Sequence, residues 1–128
     1  MSGQSILVVD DNPSNLKLFT FLLAVPGYEV RTAASAAQAL AELDRTMPDL
    51  IIMDLQLPDV DGLTLTRQLK ADPKMKGVPI VAVTASAMKG DEEKARAAGV
   101  DGYMSKPVEK RAFRAMVAGY VGGEKTSG

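Results

Sequence analysis

The chain has 128 residues, a length typical of one domain that buries its own core, and its 15 Lys and Arg against 16 Asp and Glu give a net charge of -1. No window clusters basic with aromatic residues or reaches the ~20 apolar residues that cross a bilayer, which argues against direct nucleic-acid or membrane partners and predicts a cytoplasmic protein. The absence of Cys and His argues against disulfides, zinc sites and His-based general bases, so oxygen ligands and a hard cation such as Mg²⁺ remain.

Five short apolar runs alternate along the chain with segments of helical character. The predicted strands are residues 5–9, 28–32, 49–53, 79–83 and 102–104. This alternation indicates βα units around a parallel sheet. We therefore predict an α/β fold, a flavodoxin-like (βα)5 doubly wound parallel sheet with strand order 2-1-3-4-5. One domain would span 1–128, with an ordered core at about 4–121 and a flexible tail at 122–128.

Five helices are predicted from local start and stop signals. Asn12 can cap a first helix that has Pro13 in its first turn. Ser35 and Gln38 form a capping-box pattern before the apolar positions Ala39, Leu40 and Leu43 of a second helix. The third opens at Gly62, the fourth runs from about Gly90 to Gly99, and the fifth starts at about Glu109.

Polar side chains follow the central strands at the edge of the sheet where ligands bind in this kind of fold. Asp10 and Asp11 follow strand one, Asp54 strand three, Thr84 strand four and Lys106 strand five. Taken singly, such acids start helices or turns, threonine favours strands, and lysine is usually solvated. Loop chemistry alone gives no reason for three acids, a hydroxyl and an ammonium on one rim, so we predict a joint functional site.

The chemistry of this rim favours phosphate. Three carboxylates without histidine predict a Mg²⁺ site that leaves coordination positions for phosphate oxygens. The Lys106 ammonium and the Thr84 hydroxyl would contact the same phosphoryl group. Attack on phosphate by water or by a carboxylate fits so far, and Asp54 is the best nucleophile because it stands apart from the Asp10 and Asp11 pair.

Other acids receive structural interpretations. Asp49 begins the third strand, five residues before Asp54, so we place it roughly 16 Å away at the opposite edge of the sheet. Asp59 and Asp61 lie in the following turn and are predicted to be turn and cap residues.

Four ordered motifs carry a family resemblance over roughly residues 5–121: "ILVVDDNPSN", "DLIIMDLQLPDVDG", "PIVAVTA" and "GYMSKP". The sequence resembles the receiver domain of bacterial response regulators, in a single-domain form. The stretch "AMKGDEEKARAAGVDGYMSKP" is similar to that of DivK-type cell-division regulators and of receivers fused to hybrid kinases.

The resemblance implies a role for each acid of the rim. Asp54 would be the phosphoacceptor and a metal ligand, and Asp11 would bind Mg²⁺ directly. Asp10 would act indirectly, through a water or as an additional ligand, and the backbone carbonyl of Gln56 would complete the protein's share of the metal shell.

The resemblance also implies a switch. Thr84 would donate to one phosphoryl oxygen, Lys106 would pair with another, and the Lys106–Pro107 peptide would be cis. Tyr103, otherwise an ordinary half-buried aromatic, would turn inward when Thr84 moves toward the phosphoryl group.

Two further positions would tune the lifetime of the phosphoryl group. Gln56 and Ser86 each lie two residues beyond a site residue and would flank the path of the attacking water. The domain would thus assist its own phosphorylation and dephosphorylation without being an enzyme in the usual sense.

The implied function is that of a phosphoacceptor in a two-component system or phosphorelay. A histidine kinase or histidine phosphotransfer protein would supply the phosphoryl group, and a downstream protein effector would recognise the face formed by the fourth helix, fifth strand and fifth helix. Candidate residues of that face are Lys89, Glu93, Arg96, Tyr103, Glu109, Lys110 and Arg114.

Two alternatives stay open. One is a phosphate-independent adaptor with the same fold, although all five site residues are present. The other is a Mg²⁺-dependent phosphatase of the haloacid dehalogenase class, which needs a second aspartate two residues after the nucleophile. Asn12 and Gln56 occupy the corresponding positions after Asp10 and Asp54.

Overall fold

A computed structural model of the chain describes residues 4–24, 28–75, 77–84, 90–106 and 108–121. The strands are β1 (Ser5–Val9), β2 (Glu29–Ala33), β3 (Leu50–Met53), β4 (Ile80–Thr84) and β5 (Gly102–Ser105). The helices are α1 (Pro13–Ala24), α2 (Ala36–Arg45), α3 (Gly62–Ala71), α4 (Asp91–Ala98) and α5 (Lys110–Val121). Every predicted strand is confirmed to within one residue at each end, and a 3₁₀ turn at Pro73–Met75 was not predicted.

The strands form one parallel sheet in the order β2-β1-β3-β4-β5, which confirms the predicted flavodoxin-like α/β fold. Val9 at the end of β1 lies in register with Ala33 and with Met53, so the carboxyl ends of these strands meet at one edge. Among the residues that the structure describes, no helix is long and apolar enough to cross a bilayer.

Helices cover both faces of the sheet. On one face, α1 and α5 meet through the stacked rings of Phe19 and Phe113, whose centroids are 5.1 Å apart. On the other face, α2, α3 and α4 pack over a second cluster that includes Leu65 and Met53. Because β1, β3 and β4 are buried on both sides, their runs are apolar without alternation.

Side chains at the helix starts satisfy backbone N–H groups, as predicted for α1 and α2. The Ser14 N–H donates to Asn12 Oδ1 at 2.9 Å, and the Gln38 N–H donates to Ser35 Oγ at 3.1 Å. Asp61 caps α3 with its carboxylate. These caps satisfy N–H groups that the first turns of α1, α2 and α3 would otherwise leave without a partner.

Leu40 departs from the predicted apolar stripe of α2. Its side chain is 39 % exposed, whereas Ala36 and Ala39 are buried and Leu43 packs partly against the core. The helix turns its small residues toward the sheet, so Leu40, next to the buried Ala39 in sequence, falls off the buried face.

Candidate functional site

The carboxyl edge of the sheet brings the predicted site residues together. The backbone N–H of Asp54 donates to the carbonyl of Val9 at 2.8 Å, which fixes the residue after β3 against the end of β1. The backbone N–H of Lys106 donates to the carbonyl of Thr84 at 2.9 Å and joins β5 to β4 in the same way. Parallel strands thus deliver Asp10, Asp54, Thr84 and Lys106 to one rim.

The Lys106 ammonium bridges two buried carboxylates. Its Nζ lies 2.8 Å from Asp10 Oδ2 and 3.2 Å from Asp54 Oδ2. Asp10 is 1 % and Asp54 6 % exposed, so both carboxylates have lost most of their hydration. The sequence predicted Lys106 as a phosphate ligand, and the structure adds that this ammonium compensates the paired carboxylates.

Two further donors hold the Asp10 carboxylate. The Asn12 N–H donates to Oδ1 at 2.9 Å, and the Asn15 side-chain amide donates to Oδ2 at 3.2 Å. Sequence analysis missed Asn15. Its position could have indicated this contact, because an amide side chain in the first turn of α1 lies close to the acids that end β1.

The three acids of the rim fit a Mg²⁺ ion. Among the described residues, Asp10, Asp11 and Asp54 form a group in which one carboxylate oxygen of each lies within 4.8 Å of the others. Asp11 is exposed, so its carboxylate is open to solvent beside the two buried ones. All the donors are oxygen atoms, and three carboxylates against one ammonium leave two negative charges, which suits a hard divalent cation.

Competing causes shift the pKa values of Asp54 and Lys106. Burial raises the pKa of Asp54, and the lowering effects of the Gln56 N–H and of the Lys106 charge do not outweigh it. Burial lowers the pKa of Lys106, but the hydrogen bond from Lys106 to Asp10 and the charges of both carboxylates outweigh it, so the pKa is raised. The charged form of the Asp54 carboxylate is thus less stable, relative to its protonated form, than that of an exposed aspartate.

Tight backbone packing holds the loop after β3. The Gln56 N–H donates to Asp54 Oδ1 at 3.0 Å, and the Gly62 N–H donates to the Leu55 carbonyl at 3.0 Å. A Cβ on Gly62 would lie 2.5 Å from Leu55 Cα and 2.8 Å from the Asp54 carbonyl oxygen. The absence of a side chain at Gly62 therefore lets α3 start directly against the backbone of the predicted phosphoacceptor.

Asp59 forms hydrogen bonds to another element in addition to its predicted place in the turn. Its carboxylate accepts hydrogen bonds from the N–H groups of Ala36 at 2.9 Å and Ala37 at 3.0 Å, which tie the β3–α3 loop to the start of α2. These two N–H groups lower the pKa of Asp59. Asp49 accepts a hydrogen bond from the Ser5 N–H at 2.7 Å, at the amino end of β1, which confirms its predicted place at the opposite edge.

The remaining predicted site residues lie in differing surroundings. Thr84 is 1 % exposed at the end of β4, and Tyr103 is half-buried against the cluster under α2, α3 and α4. The Gln56 side chain is exposed. Ser86, Lys89 and the Lys106–Pro107 bond lie outside the described residues.

The predicted partner face is mostly solvent-accessible. Exposed side chains on α4 and at the start of α5 include those of Glu93, Arg96, Glu109 and Lys110. Arg114 differs, because its Nε donates to the Leu22 carbonyl of α1 at 2.8 Å and its side chain is half-buried. Arg114 therefore joins α5 to α1.

Known proteins are similar to this chain in sequence and fold. The family model for the response regulator receiver domain matches residues 6–118. The polar-differentiation response regulator DivK of Brucella ovis is 44 % identical over 119 residues, covering 93 % of this chain and 97 % of the relative. The DivK of Brucella anthropi is 43 % identical over the same length, with the same coverage of both chains.

Solved structures give the same result. A putative response regulator from Chloroflexus aurantiacus has a TM-score of 0.89 and 31 % identity, over 94 % of this chain and 99 % of that one. The receiver domain of a Pseudomonas aeruginosa sensor histidine kinase, solved with a magnesium ion coordinated in its active site cleft, has a TM-score of 0.86 and 36 % identity, over 94 % and 99 %. With an acidic rim, a bridging lysine and these relatives, the chain belongs to the response regulator receiver domains, the signalling phosphoacceptors of two-component systems.

Proposed function

We propose that Asp54 accepts a phosphoryl group from a phosphohistidine in a Mg²⁺-dependent reaction, and that this modification changes which proteins bind the α4–β5–α5 face. The main support for this proposal is the bridge that Lys106 forms between the almost fully buried carboxylates of Asp10 and Asp54, with Asp11 beside them. We expect the reaction to take place in the cytoplasm.

Asp54 is the proposed nucleophile. One of its carboxylate oxygens forms a bond to phosphorus while the P–N bond of the phosphohistidine breaks and its electron pair returns to the imidazole. An ionised aspartate needs no general base, because its carboxylate oxygen can accept the phosphoryl group directly.

The metal-binding residues are proposed to be Asp11 and Asp54 with the backbone carbonyl of Gln56, while Asp10 acts indirectly. The compact oxygen-donor group of the three acids supports this choice, and a related receiver from Pseudomonas aeruginosa has been solved with magnesium in its active site cleft. A bound Mg²⁺ would neutralise the charge that develops on the phosphoryl oxygens.

Lys106 and Thr84 are proposed to hold the phosphoryl group once it has arrived. Lys106 Nζ is already 3.2 Å from Asp54 Oδ2 and can pair with a phosphoryl oxygen bonded to the same carboxylate. The Thr84 side chain is buried at the end of the neighbouring strand, from which its hydroxyl can donate to a second oxygen. Both residues stabilise charge and transfer no proton.

The output is proposed to pass through Tyr103 on β5. When Thr84 moves toward the phosphoryl group, the space beside it opens and the half-buried Tyr103 ring turns inward. The exposed charges of Glu93, Arg96 and Lys110 on the adjoining helices would then face a downstream protein. Gln56 and Ser86 are proposed to set how long the phosphoryl group survives.

Phosphorylation assays on an Asp54→Ala variant test the acceptor. Purified protein is incubated with labelled acetyl phosphate and Mg²⁺, and the label retained on protein is measured. The parent and an Asp44→Ala control, which removes an exposed acid of α2, should both take up label. Uptake of label by Asp54→Ala would show that the acceptor is another residue.

A titration with Mg²⁺ and beryllofluoride tests the alternative of a phosphate-independent adaptor. Beryllofluoride imitates a phosphoryl group on an aspartate, so the amide NMR signals of Tyr103 and its neighbours on β5 should shift in a saturable way. Without such a response the adaptor interpretation would prevail. Sustained turnover of a small phosphate ester would instead indicate the phosphatase.

A further inference from the structure

Asn15 contacts the acidic rim but has no role in the phosphoryl transfer described above. It lies in the first turn of α1, half-buried, and its Nδ2 donates to Asp10 Oδ2 at 3.2 Å. Lys106 Nζ donates to the same oxygen at 2.8 Å. Within the described part of the chain, one buried carboxylate oxygen is thus shared between an amide and an ammonium.

The two donors differ in what the reaction asks of them. Lys106 also contacts Asp54 and, under the proposed function, must pair with the incoming phosphoryl oxygen. Its contact with Asp10 weakens as it does so, which leaves an almost fully buried carboxylate with less compensation. Asn15 carries no charge, has no second carboxylate partner among its described contacts, and can stay on Asp10 throughout.

We propose that Asn15 is a positioning residue for phosphoryl transfer: its amide keeps Asp10 Oδ2 hydrogen-bonded while Lys106 moves toward the phosphoryl group. The hydrogen bond from Asn15 lowers the cost of loosening the Asp10–Lys106 ion pair. The Asn12 N–H complements it by holding Oδ1, so the Asp10 carboxylate keeps its orientation when Lys106 departs. This inference rests on the proposed function of Asp54.

Rates of phosphorylation by acetyl phosphate at saturating Mg²⁺ provide the first test. Asn15→Ala removes the amide, and Asn15→Leu removes it while keeping the volume of the side chain. Both variants should be phosphorylated about tenfold more slowly than the parent, the effect of one hydrogen bond to a charged group. The control is Ser14→Ala, which changes an exposed neighbour in the same turn and should leave the rate unchanged.

A double-mutant cycle separates positioning from a structural effect. In a Lys106→Met background no ammonium has to leave Asp10, so Asn15→Ala should then have no further effect on the residual rate. If Asn15→Ala slowed both backgrounds equally, or left the rate of the parent unchanged, the proposed role of Asn15 would be wrong. A loss confined to Asn15→Ala and absent in Asn15→Leu would indicate lost packing and would equally overturn it.

The metal-free protein gives a readout that does not depend on phosphorylation. Without Asn15, the Asp10–Lys106 ion pair should tighten, so the Lys106 ammonium protons should exchange with water at least about twofold more slowly by NMR. Unchanged or faster exchange would contradict the shared-oxygen interpretation. If the parent took up no phosphoryl group while exchange slowed as expected, the proposed function would fail and the contact between Asn15 and Asp10 would stand.

Discussion

Gly62 offers the sharpest test of how the fold positions the phosphoacceptor. It is buried at the start of α3, and a Cβ built there would lie 2.5 Å from Leu55 Cα, 2.8 Å from the Asp54 carbonyl oxygen and 2.9 Å from the Leu55 carbonyl oxygen. All three neighbours are backbone atoms, which cannot rotate away as a side chain can. Gly62→Ala must therefore displace the chain at Asp54 and Leu55.

The size of the displacement sets the expected effect. Ordinary contacts begin at 3.4 Å, so Leu55 Cα must retreat by about 0.9 Å from its present 2.5 Å. Overpacking of this kind typically costs about 1–3 kcal/mol, which lowers the unfolding midpoint of a domain of this size by roughly 4–11 °C. A shift of this size at a reacting group can slow its chemistry by tenfold to about a hundredfold.

Thermal unfolding and the rate of acetyl phosphate uptake measure the two consequences. Gly119→Ala is the matched control, because Gly119 lies inside α5 with nothing within 4 Å of an added Cβ. There the substitution should stabilise the protein by about 0.5–1 kcal/mol and leave the rate unchanged. A Gly62→Ala variant as stable and as active as the parent would refute the view that α3 and the Asp54 backbone are packed without slack.

The remaining predictions concern the acids of the site and its loop. Because the pKa of Asp54 is raised in the fold above 3.8, its charge costs stability progressively between pH 3.8 and the folded pKa and fully above it. Asp54→Asn should therefore raise the urea midpoint of metal-free protein at about pH 7 and have little effect near pH 3. Because the pKa of Asp59 is lowered, its contribution is complete above 3.8 and disappears as pH falls through the folded value, so the thermal destabilisation by Asp59→Asn should shrink on acidification. Asp11→Asn should weaken Mg²⁺ binding, followed by NMR titration, and slow phosphorylation, with no loss of the circular dichroism spectrum, since Asp11 is exposed. Contrary results would be an Asp54→Asn protein less stable than the parent at neutral pH, a pH-independent effect of Asp59→Asn, or parental Mg²⁺ affinity in Asp11→Asn.

The fold and the residues of the rim were predictable because they depend on patterns along the chain. Apolar runs without alternation identify strands covered on both faces, and parallel strands place their carboxyl ends together, so Asp54 and Lys106 follow from their positions after β3 and β5. The bridge from Lys106 to Asp10 was not predictable. The two partners are 96 residues apart in sequence, and their contact depends on the conformations of both side chains, which no local pattern encodes.

Other features escaped prediction for the same reason. Asp59 looked like an ordinary turn residue, because nothing near it in sequence shows that Ala36 of α2 would supply its hydrogen-bond donor. Leu40 looked like a core residue, since the periodicity of α2 allowed more than one buried face and only packing chose between them. Contacts between elements distant in sequence therefore carry the information that the pattern lacks.

The charge of the site explains why a divalent cation should be required. The three carboxylates of Asp10, Asp11 and Asp54 and the one ammonium of Lys106 leave a net charge of two negative units. The carboxylates of Asp10 and Asp54 are almost fully buried. An acyl phosphate on Asp54 would replace one negative charge by roughly two, so the phosphorylated rim would carry about three without a metal. A bound Mg²⁺ would reduce that to about one, spread over several donors. Lys106 therefore compensates part of the charge of the resting rim, and a phosphorylated rim would call for a divalent cation in addition.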